Sequence, residues 1–364
     1  MGFQNAATGP LTVITTLRPL SLYMAGLNMD SGVGFGALLG YEVGGVKIVF
    51  SLKREYRDCT VTFSPFVSPA ESDTSDLAAD VIADCRTGIV PDWQSTPLIF
   101  SDSCNRIYAG TERIIRFSGS FFGEVPTLER WTGCAVYDMR RKETAWEDRK
   151  VEGNREDRSH GPQRVTLYVN PGIEEGRKTD GQAKLTDSRL FDALGLDYIM
   201  SHNHRVILHS SFISRQGEGI LFTAPSGTGK STQADLWKRH EEGVTIINGD
   251  RSILGFKEGR AWVYGLPFCG TSGIAENMDC PLRAVVVLRQ GRENQIRRLG
   301  QREAFSLLLS ECTVNTWDTE GTENIMDLLI RIVRTVPVYY FACLPDFSAV
   351  EMLKAALADD YRKG

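Results

Sequence analysis

Apolar and polar residues alternate in short runs along the first half of the chain. Five of these runs have the length and alternation of β-strands, and turn residues separate them; they cover residues 46–50, 60–63, 97–100, 113–117 and 164–169. The pattern predicts a mostly β domain over residues 41–180, preceded by an N-terminal extension over residues 1–40. Residues 140–160 are dense in mixed charge, which favours a solvated loop over a docking surface for a partner.

The second half of the chain combines strand-like runs with segments of helical spacing. Strands are predicted at residues 205–213, 219–224, 243–247, 252–256, 261–264, 283–288 and 336–341. Helices are predicted at residues 186–200, 230–237, 301–310, 323–333 and 347–357, and the first of them turns inward Leu190, Phe191, Leu194 and Leu196. This mixture predicts an α/β domain over residues 185–364, joined to the β domain by a short linker.

Composition narrows the class of protein. The 364 residues carry a formal net charge of −5 and give a pI near 5.7, which argues against a broad nucleic-acid surface because such surfaces need clustered Lys and Arg. The eight cysteines are scattered, with no C-x-x-C pair, and this spacing is typical of reduced thiols rather than of disulfides or a metal site. We therefore expect a chain that binds no nucleic acid.

The stretch at residues 11–39 is fairly apolar, as a targeting or membrane segment would be. Arg18, Pro19, Asn28 and Asp30 interrupt it, and a membrane-spanning helix needs about 20 predominantly apolar residues in succession. No basic segment precedes it, which a signal peptide would require. The sequence thus predicts a cytoplasmic protein that does not contact a membrane.

The strongest chemical signal is a glycine-rich stretch between the strand at residues 219–224 and the helix that follows. It matches the phosphate-binding pattern G-x-x-x-x-G-K-[ST] except that Ala224 replaces the first glycine. Such a loop turns backbone N–H groups toward a polyphosphate at a helix N-terminus. Lys230 is expected to add charge at the β- and γ-phosphates, and Ser231 to bind Mg²⁺. The predicted ATP-binding residues are Ser226, Gly227, Thr228, Gly229, Lys230, Ser231 and Thr232.

Two more residues are candidates because they lie on strands next to this loop. His209 is on the strand that a tight connection folds back beside the loop strand, so its imidazole is expected near the phosphates. Asp250 follows the strand at residues 243–247, where a carboxylate binds Mg²⁺ or accepts a proton from the acceptor. We therefore assign Lys230, His209 and Asp250 as catalytic candidates, and Ser231 and Asp250 as Mg²⁺ ligands.

Residues 209–251 resemble the nucleotide core shared by HPr kinase/phosphorylase and the phosphoenolpyruvate carboxykinases. The resemblance rests on a His-Ser pair at His209, an apolar strand, the run S-G-T-G-K-S at residues 226–231, and a strand that ends in an acid at Asp250. It implies an α/β P-loop kinase domain with a mixed central sheet flanked by helices. HPr kinases have Asp-Asp where this chain has Gly249-Asp250, so one carboxylate must serve as metal ligand, proton acceptor or both.

The resemblance implies a kinase that transfers the γ-phosphoryl group of ATP to a hydroxyl. The expected acceptor is a serine of a peptide or small protein, which the β domain would present. Two alternatives stay open: a kinase acting on a small-molecule alcohol, and a module that binds ATP without transfer. A homo-oligomer is compatible with the sequence.

Overall fold

The structure, a computed structural model, describes residues 37–52, 62–68, 79–86, 93–119, 131–139, 163–169 and 186–363. The charged segment at residues 140–160 and the stretch at residues 11–36 lie outside the described residues. Within the described ranges, no helix is both long enough and apolar enough to cross a membrane.

The strands of the first half form one mixed sheet. In the described part of the chain it contains nine strands, in the order β3-β1-β2-β4-β9-β8-β7-β6-β5. The strands pair antiparallel except at β2–β4 and β4–β9, which are parallel. Their bounds are β1 Ala37–Val43, β2 Val46–Leu52, β3 Val67–Ser68, β4 Val81–Arg86, β5 Leu98–Ser101, β6 Asn105–Ala109, β7 Arg113–Gly119, β8 Trp131–Asp138 and β9 Gln163–Val169.

Four of the five strands predicted in this half are confirmed, and one is wrong over its described residues. Thr62 and Phe63 form a turn that leads into a 3-10 turn at Ser64–Phe66. Pro65 explains the difference, because proline has no N–H for a strand ladder and fixes φ near the helical value. Strands β1, β4, β6 and β8 were not predicted because glycine or polar residues, such as Gly40 in β1, interrupt their apolar alternation, and β3 was not predicted because it has only two residues.

The second half contains the remaining described elements. The strands are β10 Val206–Arg215, β11 Glu218–Thr223, β12 Val244–Asn248, β13 Arg251–Lys257, β14 Arg260–Tyr264, β15 Asp279–Gln290, β16 Gln295–Arg298 and β17 Val338–Cys343. The helices are α1 Asp187–Leu194, α2 Leu196–His202, α3 Lys230–His240, α4 Gln301–Glu311, α5 Thr319–Thr335 and α6 Phe347–Lys363. The predicted combination of strands and helices is confirmed as a mixed α/β fold.

The centre of this half is built on the three parallel strands β11, β15 and β17. Strand β10 pairs antiparallel with β11 through its C-terminal half and with β13 through its N-terminal half. Strand β13 pairs with β14, β14 with β15, and β15 with β11, so the pairing returns to β10 and closes a five-stranded ring. The C-terminal ends of β11 and β15 therefore lie at the same edge.

The helix predicted over residues 186–200 is two helices, because the chain turns at Gly195. Gly195 has φ 69° and ends α1 before α2 begins, a conformation that favours glycine. A Cβ here would lie 2.6 Å from Arg116 Nη1 and 2.7 Å from Tyr137 Oη of the first sheet. The inward positions are confirmed: Leu190, Phe191, Leu194 and Leu196 are all buried.

One apolar core joins the first sheet to the second half of the chain. It contains Phe50 of β2, Phe191 of α1 and Ile253 of β13. The Phe50 and Phe191 rings pack edge to face with centroids 5.2 Å apart. Buried aromatic side chains contribute large areas of apolar contact, and this core fixes the first sheet against the strands around the glycine-rich stretch.

Candidate active site

The candidate site begins at the glycine loop (residues 224–229), which connects β11 to α3. Gly227 and Gly229 have φ 77° and 115°, values in which a side chain would be strained. A Cβ at either residue would meet nothing within 4 Å, so the space beside the loop is open. Ala224 does not have a positive φ, so alanine replaces the motif's glycine here without strain. The loop thus forms an open cradle before a helix N-terminus.

Lys230 is the first residue of α3, and its side chain folds back under the loop. Its Nζ donates to the carbonyl oxygen of Ala224 at 2.8 Å and to that of Pro225 at 3.4 Å, and the residue is only 7% exposed. Burial lowers the pKa of Lys230 below its ordinary value, while the charges of Glu311 and Asp250 act in the opposite direction. The ammonium group therefore lies beneath the cradle, close to two carboxylates.

The polar residues predicted to bind phosphate surround this cradle. Ser226, Ser231 and Thr232 are exposed, and Thr228 Oγ1 donates to Pro225 O at 2.8 Å, which closes the turn. Ser231 Oγ lies 3.5 Å from the carbonyl oxygen of Gly249, next to the Asp250 turn. Serine hydroxyl and aspartate carboxylate are oxygen donors of the kind Mg²⁺ prefers together with substrate phosphates. The residues present therefore fit Mg²⁺ with a nucleoside triphosphate.

Strand register brings His209 and Asp250 together. Ser210 pairs with Thr223 at the end of β11, so His209 is level with the start of the glycine loop. His209 also pairs with Arg251 of β13, the residue after Asp250. As a result His209 Nε2 lies 3.6 Å from Asp250 Oδ1, and Arg251 Nε lies 3.4 Å from Asp250 Oδ2. Both predicted residues thus lie at the edge where the loop begins.

Asn248, to which the sequence assigned no role, holds the Asp250 turn in place. Its Oδ1 accepts the backbone N–H groups of Asp250 and Arg251, both at 2.9 Å. Its Nδ2 donates to the carbonyl oxygens of Leu266 at 2.9 Å and Phe268 at 3.1 Å. Asn248 is fully buried, so its amide ties the turn to the segment at residues 265–273.

This segment, which we call the overlying loop (residues 265–273), approaches Asp250 closely. A Cβ on Gly270 would lie 2.8 Å from Asp250 Cγ, and a Cβ on Gly249 would lie 2.4 Å from Ser272 Cβ. Glycine at both positions permits this approach, because a Cβ at either residue would lie closer to its neighbour than the van der Waals contacts in a packed interior allow. Ser272 therefore occupies the space that a side chain at residue 249 would need, and the site has no room for an acid there.

The turn that leads into β3 of the first sheet contacts the overlying loop through an aromatic pair. Phe63 is 2% exposed, and its ring lies edge to face with Phe268, with centroids 5.3 Å apart. Phe268 O also accepts a hydrogen bond from Asn248, which holds the Asp250 turn. Phe268 and Asn248 therefore connect the first sheet to the Asp250 turn.

Sequence reasoning missed a second carboxylate, that of Glu311. Its Oε2 lies 3.2 Å from His209 Nδ1, and its side chain is 13% exposed. Glu311 is 102 residues away from His209 in the sequence and belongs to no motif, so only the tertiary packing of α4 reveals it. The site therefore combines Lys230, His209, Asp250 and Glu311.

Comparisons with known proteins add little to this geometry. No protein-family model matches the chain, and no curated protein matches its sequence. A solved structure of the Hpr(Ser) kinase/phosphatase from Coxiella burnetii is similar to part of the chain, with 13% sequence identity and a TM-score of 0.26. The match covers 43% of this chain and 90% of that one.

Proposed function

We propose that the chain is an ATP-dependent kinase that transfers the γ-phosphoryl group of ATP to a hydroxyl. The observation that carries the proposal is the convergence of the open glycine loop with Lys230, Asp250 and His209 at one edge of the sheet. An open loop at a helix N-terminus is an anion site, and a carboxylate beside it suits proton transfer from an acceptor. An anion site with a neighbouring acid is the minimum that phosphoryl transfer requires.

The proposed roles follow from position. The phosphates lie against the backbone N–H groups of residues 226–232, where Lys230 compensates their charge. Ser231 and Asp250 would hold Mg²⁺, which supplies neutralisation of the phosphate oxygens. Asp250 accepts the proton of the acceptor hydroxyl. His209, and Arg251 beside it, reduce the negative charge around the transferred group.

We further propose that the acceptor is a serine of a peptide or small protein. The resemblance to HPr kinase/phosphorylase suggests this acceptor, and the contact between Phe63 and Phe268 supports it. That contact packs the turn before β3 against the overlying loop, and we propose that the first sheet presents the polypeptide to the Asp250 edge. A small-molecule alcohol would need no such neighbouring sheet.

The test is transfer from γ-labelled ATP to a pool of serine-containing peptides, with Mg²⁺, by the wild type and by Asp250→Asn. Removal of the carboxylate charge should cost about 3 kcal/mol of barrier, or roughly a hundredfold in kcat. Asp235→Asn is the matched control, because Asp235 is an exposed aspartate on α3 and should leave the rate unchanged. If Asp250→Asn transfers phosphate at the wild-type rate, the catalytic assignment is wrong.

A second candidate, a module that binds ATP without transfer, is favoured by one observation. Residue 249 has neither a carboxylate nor space for one, because Ser272 fills that space. This candidate predicts tight ATP binding with no labelled product from any acceptor, peptide or alcohol. The kinase proposal predicts labelled product, so the same assay separates the two.

A further inference from the structure

Backbone contacts next to Glu311 hold it at the candidate site, so its position does not depend only on the conformation of its long side chain. It is the last residue of α4, and the next residue, Cys312, forms an isolated bridge with Leu208. The N–H of Thr313 donates to the carbonyl oxygen of Ile207 at 2.9 Å. These two links hold the end of α4 against the strand residues that immediately precede His209.

This position is electrostatically unfavourable for a carboxylate unless a cation compensates it. The C-terminus of a helix carries the negative end of the helix dipole, and the last turn of α4 contains no basic residue. The Glu311 side chain is also mostly buried, and a buried carboxylate needs polar partners. The groups that offset these costs belong to the site: His209, in hydrogen-bond contact, and Lys230, whose pKa Glu311 helps to raise against the effect of burial.

We propose that Glu311 is a positioning residue, which holds the His209 ring so that its Nε2 faces Asp250. This inference rests on the proposed function and deepens it. Glu311 is a second carboxylate at the site, and it lies on the opposite side of His209 from Asp250.

The chemistry of the contact fixes the orientation of the ring. A carboxylate only accepts hydrogen bonds, so the N–H at His209 Nδ1 donates the hydrogen bond to Glu311 Oε2. The opposite nitrogen, Nε2, is then the one 3.6 Å from Asp250 Oδ1. Glu311, His209 and Asp250 form a row that restricts rotation of the imidazole, and partners that orient an active-site histidine in this way strongly influence activity.

The test compares Glu311→Ala, which removes the contact, with Glu311→Asp, which keeps the charge at shorter reach. Glu303→Ala is the matched control, because Glu303 lies on the same helix, is exposed and pairs with Arg297 at 2.6 Å. Thermal unfolding first establishes that each variant folds. Nitrogen-15 spectra of the His209 ring at one fixed pH then report whether each ring nitrogen carries a proton.

The wild type and Glu303→Ala should show a single ring state with a proton on Nδ1, and Glu311→Ala should show exchange between ring states. For phosphoryl transfer, Glu311→Ala should lower kcat by about 10–100-fold while KM for ATP changes by less than about 3-fold. Glu311→Asp should recover part of the loss. An unchanged His209 spectrum in Glu311→Ala overturns the proposal, as does unchanged kcat when the wild type transfers phosphate. If the wild type transfers no phosphate, the proposed function fails and the spectra alone decide the positioning role.

Discussion

The close approach of Ser272 to Gly249 makes a quantitative prediction for Gly249→Ala. The new Cβ would lie 2.4 Å from Ser272 Cβ and 2.5 Å from Ser272 Oγ. Either the backbone around residue 249 or the segment around Ser272 must therefore move. Ser272 cannot move freely, because its Oγ and its N–H both donate to Cys269 O, at 2.6 Å and 3.2 Å. Overpacking of this kind destabilises a protein by about 1–3 kcal/mol, and we expect Gly249→Ala to fall in that range.

A double-mutant cycle isolates the clash. Ser272→Gly alone should cost about 1–3 kcal/mol, from the hydrogen bonds that Ser272 Oγ donates to Cys269 O and accepts from the Ile274 N–H and from greater freedom of the unfolded chain. In the double variant the nearest remaining atom is Ser272 Cα at 3.9 Å, an ordinary contact. The double variant should therefore be more stable than the sum of the two single changes predicts, by about 1–3 kcal/mol.

The assay is urea unfolding at neutral pH, from which the change in midpoint gives the change in free energy of unfolding. Gly110→Ala is the control, since a Cβ there would lie 3.8 Å from Thr96 Cγ2, and its effect should stay within about 0.5 kcal/mol. Additive effects in the double variant, or a Gly249→Ala protein as stable as the wild type, would refute the close approach of the overlying loop.

Two further predictions concern stability away from the site. Tyr137 Oη donates to Leu194 O at 2.6 Å in the buried contact between β8 and α1, so Tyr137→Phe should lower the free energy of unfolding by about 1–3 kcal/mol, measured by urea unfolding. Burial raises the pKa of Glu241, but its hydrogen bond to Lys354 and the charges of Lys354 and Arg215 leave it below its ordinary value of 4.5. A lowered folded-state pKa adds stability above the unfolded-state pKa that is lost as pH falls through the folded-state pKa. Glu241→Gln should therefore destabilise the protein at neutral pH, and in urea unfolding this effect should shrink as pH falls through the folded-state pKa; a difference that does not change with pH would contradict the ion pairs.

Local patterns predicted most of the second half of the chain. Alternating apolar residues located β10, β11 and β15, and helical spacing located α3 and α5. The pattern failed at Gly195, where a glycine in the left-handed conformation ends α1. The apolar spacing continues across this glycine, and the prediction of one helix at residues 186–200 was wrong because it rested on that spacing.

The candidate site was predictable only where its residues are close in sequence or in strand order. His209 and Asp250 lie close together because β10, which carries His209, pairs with β11 through a tight connection and with β13, which follows Asp250. Glu311 and Ser272 come from a helix end and an irregular loop, whose positions depend on packing across the whole fold. The reason for a glycine at residue 249 depends on Ser272, because Ser272 fills the space that an acid at residue 249 would need.

The measurement that tests the central claim most directly is calorimetric binding of ATP with Mg²⁺ to the wild type, Lys230→Ala and Lys238→Ala. Lys238 is exposed at the far end of the same helix, so its removal should leave the affinity unchanged. Loss of the Lys230 charge should weaken binding by about 1.5–3 kcal/mol, or roughly ten- to a hundredfold in Kd. Equal affinities of the wild type and Lys230→Ala, or no binding by the wild type, would contradict a phosphate site at the glycine loop.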